Sequence, residues 1–243
     1  LGHIREVDSI VHVVRCFENE NVTHVEGRID PIADAQTVET ELMIADLESI
    51  ERRADQTAKK AKSGDKEAKE LMAVMEPVLK ALKAGKPART ARPTDAALRK
   101  AFEGLQLLSS KPVLYVCNVE ESAAVEGNTF SEKVVGRAKA EGAAVVFISA
   151  AIEAEVSQLE SPDEQKEFLE SLGLKETGLA QIISAGYRLL DLITYFTAGP
   201  KEARAWTIIR GTKAPQAAAV IHTDFERGFI RAETIAYDDF LTL

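Results

Sequence analysis

The sequence predicts an α/β fold with a parallel sheet, interrupted by a long helical hairpin and followed by a small α+β module. Three observations carry that reading. There are three short apolar runs of strand length, an Ala-, Glu-, Lys- and Leu-rich stretch over 38–108 between the first and second of them, and a Thr197-Ala198-Gly199-Pro200 break before the last segment. The first run, Ser9-Ile10-Val11-His12-Val13-Val14-Arg15-Cys16-Phe17, is nearly continuous in apolar character, which predicts a strand covered on both faces. Pro112-Val113-Leu114-Tyr115-Val116-Cys117 ends in Asn118, and Ala143-Ala144-Val145-Val146-Phe147-Ile148 ends in Ser149. Helix-compatible sequence over 129–140 joins these two runs, giving a β-α-β unit.

Within 38–108, Ala68, Leu71, Met72, Met75, Val78, Leu79 and Leu82 fall at helical spacing, and Val38, Leu42, Ala45, Leu47 and Ile50 make a rougher stripe. The only turn signal, Ser63-Gly64-Asp65, sets the tip of an antiparallel hairpin, and Pro77 is expected to kink its second arm. The two methionines read as core. The stretch 85–93 reads as a returning loop. After the third strand, Ser161-Pro162-Asp163-Glu164 is a capping box opening a helix that should stop at Gly173. A second helix runs to about Leu192. The last module has strand-like 205–209, helix-like 216–225 and strand-like 229–235. The division is therefore 1–34 and 109–192 for the sheet domain, 35–108 for the insertion and 193–243 for the final module.

Composition bounds the function. With 45% hydrophobic and 28% charged residues over 243 positions, wholesale disorder is excluded. A net charge of −9 argues against a protein that coats nucleic acid with its whole surface, while a local basic patch stays open. No apolar run is long enough for a transmembrane helix. Cys16 and Cys117 lack paired spacing, which suits a reducing cytoplasm and no disulfide framework. The start at Leu1, inside a charged helix-like turn, reads as that of a fragment.

Chemistry is expected at the carboxyl ends of the strands, where ligands bind in such sheets. The four histidines have no metal-ligand spacing, and the sequence has no Gly-rich loop with Lys-Ser/Thr to cradle phosphate. The second strand leads into Asn118-Val119-Glu120-Glu121. Guanine-specific P-loop GTPases have Asn-Lys-x-Asp there, the Asp accepting from two guanine donors. A glutamate displaces those oxygens by roughly a bond length, so guanine is no longer matched. Asn118 carries both donors and an acceptor and can meet adenine's N6 amine and N7. Equally, Asn118 can cap the following helix with the glutamates in its first turn. Ser149-Ala150-Ala151 comes after the third strand, where backbone packs against a base.

The segments 14–21, 118–121 and 195–199, with 204–208, 214–218 and Ile221-His222-Thr223-Asp224-Phe225, closely resemble the Obg-like ATPases of the YchF type. The resemblance covers essentially the whole chain. It implies a partial P-loop NTPase sheet, a helical coiled-coil arm and a partial C-terminal TGS module of β-grasp type. It also implies hydrolysis of ATP in preference to GTP with Mg²⁺, cytoplasmic location, and ribosomes or structured RNA as partners. Neither membrane nor DNA is expected, and oligomeric state is left open. Asn118, Val119 and Glu121 match the family's altered base motif, and Ser149 and Ala150 its second base-contacting stretch. The family's P-loop Gly-Lys-Ser, switch region and Asp-x-x-Gly have no counterpart here, nor do its closing TGS strands. The fragment itself is therefore expected to be inactive in hydrolysis, its Mg²⁺ ligands missing. His24 matches the family's histidine between Asn-x-x and Val-x-Gly. The resemblance implies that it orients the attacking water, whereas on its own it reads as a solvated loop residue. The alternative is a non-enzymatic ribosome- or RNA-binding piece acting through arm and TGS module. Residues around the hairpin tip carry a surplus of two positive charges, which suits RNA phosphates, although interleaved charges on a helix more often mark a solvated face laced with i,i+4 pairs.

Overall fold

The three apolar runs form one parallel sheet in the order β1 (Ile10–Arg15), β2 (Val113–Asn118), β3 (Ala144–Ile148). This is a computed structural model, and it describes residues 2–19, 22 and 27–242. The described chain divides between Gly186 and Tyr187 into two units.

In the first unit the register sets Arg15, Asn118 and Ile148 side by side. The central strand β2 is buried from Val113 to Cys117. β1 departs from the expectation of cover on both faces. Val14 is buried, but Val11 and Val13 on the other face are 48% and 60% exposed, because no described element lies over them. The crossover helix α5 (Thr129–Glu141) packs Val134 and Ala138 against Tyr115, Cys117 and Cys16.

A short helix, α1 (Gly2–Glu6), precedes β1, and the hairpin consists of α2 (Pro31–Lys62) and α3 (Lys66–Lys83). Pro31 opens α2 behind Asp30, whose carboxylate accepts from the Ala33 N–H. Gly64 turns the chain at φ +99°, a conformation that Cβ-bearing residues rarely adopt, and Asp65 caps α3. Ile50 and Ala54 then meet Val74, Met75, Val78 and Leu82. α3 runs unbroken through Pro77, the position at which the sequence predicts a kink. Pro77 and Ala73 are both exposed, so the carbonyl freed by the missing N–H meets water. The return loop holds a 3₁₀ turn, Ala88–Ala91, and is followed by α4 (Ala96–Glu103), which the sequence reading passed over. Ala88, Phe102, Leu105 and Leu107 close the core at the hairpin's base.

Beyond β3 come α6 (Ala150–Val156), α7 (Pro162–Ser171) and α8 (Gly178–Leu189). The Ser161–Glu164 capping box forms, and Gly173 at φ +75° ends that helix.

In the second unit, β4 (Leu192–Ala198) pairs antiparallel with β5 (Ala203–Ile209). The continuous helix expected over 216–225 is two, α9 (Ala214–Ile221) and α10 (Asp224–Arg227), because His222 between them is extended at φ −158° and ψ 135°. The strand expected over 229–235 does not form, since no described strand pairs with it, and α11 (Tyr237–Thr242) comes next.

Candidate nucleotide-base site

The carboxyl ends of the three strands are knitted together by backbone bonds that continue the ladder. The Cys16 N–H donates to the Asn118 carbonyl at 2.8 Å, and the Val119 N–H to the Ile148 carbonyl at 2.8 Å. Asn118 Oδ1 accepts from the Ala150 N–H at 3.0 Å. A backbone N–H can only donate, so this contact fixes which way the amide faces and leaves the Nδ2 donors for a ligand. The first-turn amide of α6 thus sets the Asn118 side chain, and Asn118 does not cap the turn after it. Glu121 opens a short 3₁₀ turn, Glu121–Ala123. It is exposed and makes no side-chain hydrogen bond or ion pair with the described residues. Ser149 is 4% exposed at the start of α6 without a side-chain capping bond, and Ala150 is exposed. Val119 is 2% exposed with its side chain in the core, so it offers the site backbone alone.

Several residues that the motif reading overlooked hold this arrangement. Glu153 takes the Gly178 N–H at 2.6 Å and the Leu179 N–H at 3.2 Å, tying α6 to the start of α8. Gly178 permits that approach, since a Cβ there would lie 2.6 Å from Ile148 Cγ2. Arg15 spreads its guanidinium over the chain after β1. Nε donates to Phe17 O at 3.1 Å, Nη1 to Val22 O at 2.9 Å and Nη2 to Asn19 O at 3.2 Å, with the Phe17 ring 4.7 Å away. Only its place at a strand end, before a polar stretch, could have marked Arg15 in the sequence. His24 lies outside the described residues.

Cys16 and Cys117 are buried free thiols on the same core face. Its hydrogen bond with Cys16, and then burial, pushes the Cys117 thiol up, which keeps it an inert part of the core. Among the described residues no group of three or more His, Cys, Asp or Glu side chains converges as a metal ion would need.

At the opposite ends of the strands lies a cavity of about 420 Å³, lined by Pro112, Val113, Gly142 and Ala143 together with Glu39, Arg89 and Glu141. Four charges there close a ring. Arg89 bonds Glu39 and Glu141, and Arg137 bonds the same two carboxylates at 2.7 Å each. The Tyr115 hydroxyl donates to Glu141, and burial pushes its pKa up to about 12.

These features define an α/β protein whose parallel sheet carries its free polar side chains at the carboxyl ends, with a helical hairpin between the first two strands. A family model named YchF-GTPase_C and described as "Protein of unknown function (DUF933)" matches residues 192–243. The "Ribosome-binding ATPase YchF" of Haemophilus ducreyi is 52% identical over 241 residues, and that of Bacillus subtilis 48% over 243. Each alignment covers 99% of this chain and 66% of the relative, so the chain spans just under two thirds of the length of the curated relatives it matches. A solved structure, that of the Schizosaccharomyces pombe YchF GTPase, superposes with a TM-score of 0.79 at 35% identity, over 94% of this chain and 62% of that one. The chain belongs to the YchF family.

Proposed function

We propose that this chain reads the nucleobase, and carries the helical arm, for a P-loop nucleoside triphosphatase of the cytoplasm that prefers ATP to GTP and works on the ribosome. The observation that carries the reading is the pair Asn118 and Glu121. Asn118 is oriented by Ala150 so that its amide donors face a ligand, suited to a purine N7, and Glu121 is exposed beside it. A purine lying against Ser149 and Ala150 meets a carboxylate one carbon further out than guanine's two donors require. The loss of that match is the kind that discriminates strongly. Adenine lacks those donors and pays no such penalty.

The names of the relatives, ribosome-binding ATPases, support the activity and the partner proposed here. His24 takes the water-orienting role in hydrolysis. The described residues fit the base of a nucleotide. Among them no group of three or more His, Cys, Asp or Glu side chains converges to hold its Mg²⁺. The sequence also lacks a Gly-rich phosphate loop, so this chain alone should gain only base contacts from ATP. Those are worth about a few kcal/mol, hence roughly millimolar binding or weaker and no hydrolysis.

Titration calorimetry on the protein at the length of its relatives tests the reading. ATP should bind more tightly than GTP, and Glu121→Asp should narrow the gap. Val119 is left alone in this test, because a lysine at that buried position would disturb the core. Equal affinities for the two nucleotides before and after the change would overturn the base-reading role.

A second reading, binding to ribosomal or other structured RNA by the arm, is favoured by one observation. Lys59, Lys60, Lys62, Lys66 and Lys69 around the hairpin tip are exposed, and none is ion-paired with a described residue, so the i,i+4 pairing that would mark a merely solvated face is not formed. Co-sedimentation of this chain with ribosomes, strong at low salt and lost at high salt, is the expected result. Absence of association at low salt would remove the arm from the proposal.

A further inference from the structure

We propose that Asn128 is the positioning residue that staples the base-reading turn to the end of β1, and that this staple sets nucleobase selectivity. The inference rests on the base-reading role proposed for Asn118 and Glu121. Asn128 is the N-cap of α5, and its Oδ1 accepts from Phe130 N–H at 3.0 Å and Ser131 N–H at 2.9 Å. Its Nδ2 donates in two further directions, to the Cys16 carbonyl at 2.6 Å and to Glu120 Oε2 at 2.8 Å. An amide side chain has two N–H donors and two acceptor lone pairs, and here all four are used.

Ser, Thr, Asp and Asn all serve as N-caps. Of these, Asn alone presents a cap acceptor and two donors together, so the second pair of contacts is what this position requires beyond capping. Those contacts join segments far apart in sequence. Cys16 comes directly after the last residue of β1 and donates its own N–H to Asn118, the residue proposed to read the base. Glu120 directly precedes Glu121, so fixing its carboxylate fixes the start of the turn on which Glu121 stands. The loop is tight at its far end as well. Gly127 has φ +81° and donates to the Ala123 carbonyl at 2.8 Å, and a Cβ on it would fall 2.5 Å from Ser131 Oγ and 2.9 Å from the Phe147 ring. The turn 118–128 is therefore held at both ends, and Asn128 binds the two ends to each other.

The two jobs of Asn128 can be separated. Asn128→Asp keeps the cap acceptors, removes both donors and sets a second carboxylate against Glu120. Adding Glu120→Gln gives the new carboxylate a donor and restores the contact with residue 120, its direction reversed, while the Cys16 carbonyl stays without its donor. In the protein at the length of its relatives, the ratio of ATP to GTP affinity should fall about fivefold or more in N128D, as the loss of one net hydrogen bond converts, and recover in part in N128D/E120Q, which remakes one of the two contacts. Hydrogen exchange on this chain should rise over 119–124 in N128D while α5 stays protected. An unchanged ratio in N128D, with Glu121→Asp still effective, would overturn the staple and leave base reading standing. No effect from Glu121→Asp would overturn base reading and this inference with it. If α5 loses protection in N128D, Asn128 is a helix cap and no more; if the second substitution restores nothing, the contact with Glu120 carries no selectivity and the staple between turn and β1 is overturned.

Discussion

Replacing Asp46 by alanine should cost this protein more stability than any single methyl-scale change in its core. Asp46 sits on α2 with no exposed surface. Its carboxylate accepts from Leu108 N–H at 2.8 Å, Ser109 N–H at 2.7 Å and Ser109 Oγ–H at 2.7 Å, with Arg5 Nη1 at 3.4 Å. Ser109 Oγ in turn accepts from the Ala88 N–H at 3.0 Å. One side chain therefore satisfies the orphan donors of the 3₁₀ turn Leu108–Ser110, which feeds β2, and joins that turn to the hairpin. Removing it strands two buried backbone N–H groups, each costing about 1–3 kcal/mol, and leaves the Arg5 charge without its partner. The total comes to about 3–5 kcal/mol, because part of the loss is offset by no longer burying a carboxylate. For a chain of this size that corresponds to a fall in Tm of roughly 6–20 °C. Asp46→Asn keeps one acceptor but sets its NH₂ group among the same donors, so it should lose about half as much. Thermal unfolding followed by circular dichroism measures both. An Asp46→Ala protein melting within about 2 °C of the parent would show that the turn finds water or other partners at little cost, and would refute the reasoning.

Two other outcomes are expected. Burial, and then the Arg137 charge, hold the His12 pKa below its ordinary value of 6.5, so between those two values the unfolded chain binds the extra proton and the folded one does not. Stability from this source is complete above about pH 6.5 and falls as the pH drops below it, so His12→Phe should lose less Tm than the parent between about pH 7.5 and 5.5; equal losses would rule His12 out as the cause. In the protein at the length of its relatives, His24→Ala should slow ATP hydrolysis about a hundredfold or more with binding nearly intact, and unchanged turnover would return His24 to the rank of an ordinary loop residue.

The legible part of the sequence was local. The β-branched runs, the Ser161 capping box, the Gly64 turn and the apolar stripe of α3 each state their conformation within a few residues, and each forms. Asn118 and Glu121 were legible as a spacing after a strand. The partner of each polar group, by contrast, was hidden. Asp46, lying between Ala45 and Leu47, gives no sign that its ligands are 62 and 63 residues away. Arg89 finds Glu39 and Glu141 across separations of 50 and 52. Asn128 shows its capping role in the pattern Asn128-Thr129-Phe130-Ser131, but its two donors reach residues 112 and 8 positions away. The strand expected over 229–235 failed for the complementary reason: β propensity is a fit to a neighbouring strand, and no described strand lies beside that segment.

The polar ties also explain how an inserted hairpin can be held against a sheet it interrupts. Glu39 and Asp46 are seven positions apart on α2, two helical turns on one face. Asp46 anchors that face to the turn that starts β2, and Glu39 anchors it through Arg89 and Arg137 to the end of α5. Apolar contacts at the same place would tolerate sliding of the helix by a fraction of a turn. A closed ring of two guanidinium and two carboxylate groups, with side chains only 14–22% exposed, does not, because any shift leaves a partly buried charge without its partner. The other end of α5 is capped by Asn128, beside the turn that carries Glu121. One helix of thirteen residues thus has the root of the arm bonded to its last turn and the candidate base site bonded to its cap. A rigid α5 makes the orientation of the arm and the geometry of the Asn118–Glu121 turn parts of a single packed unit.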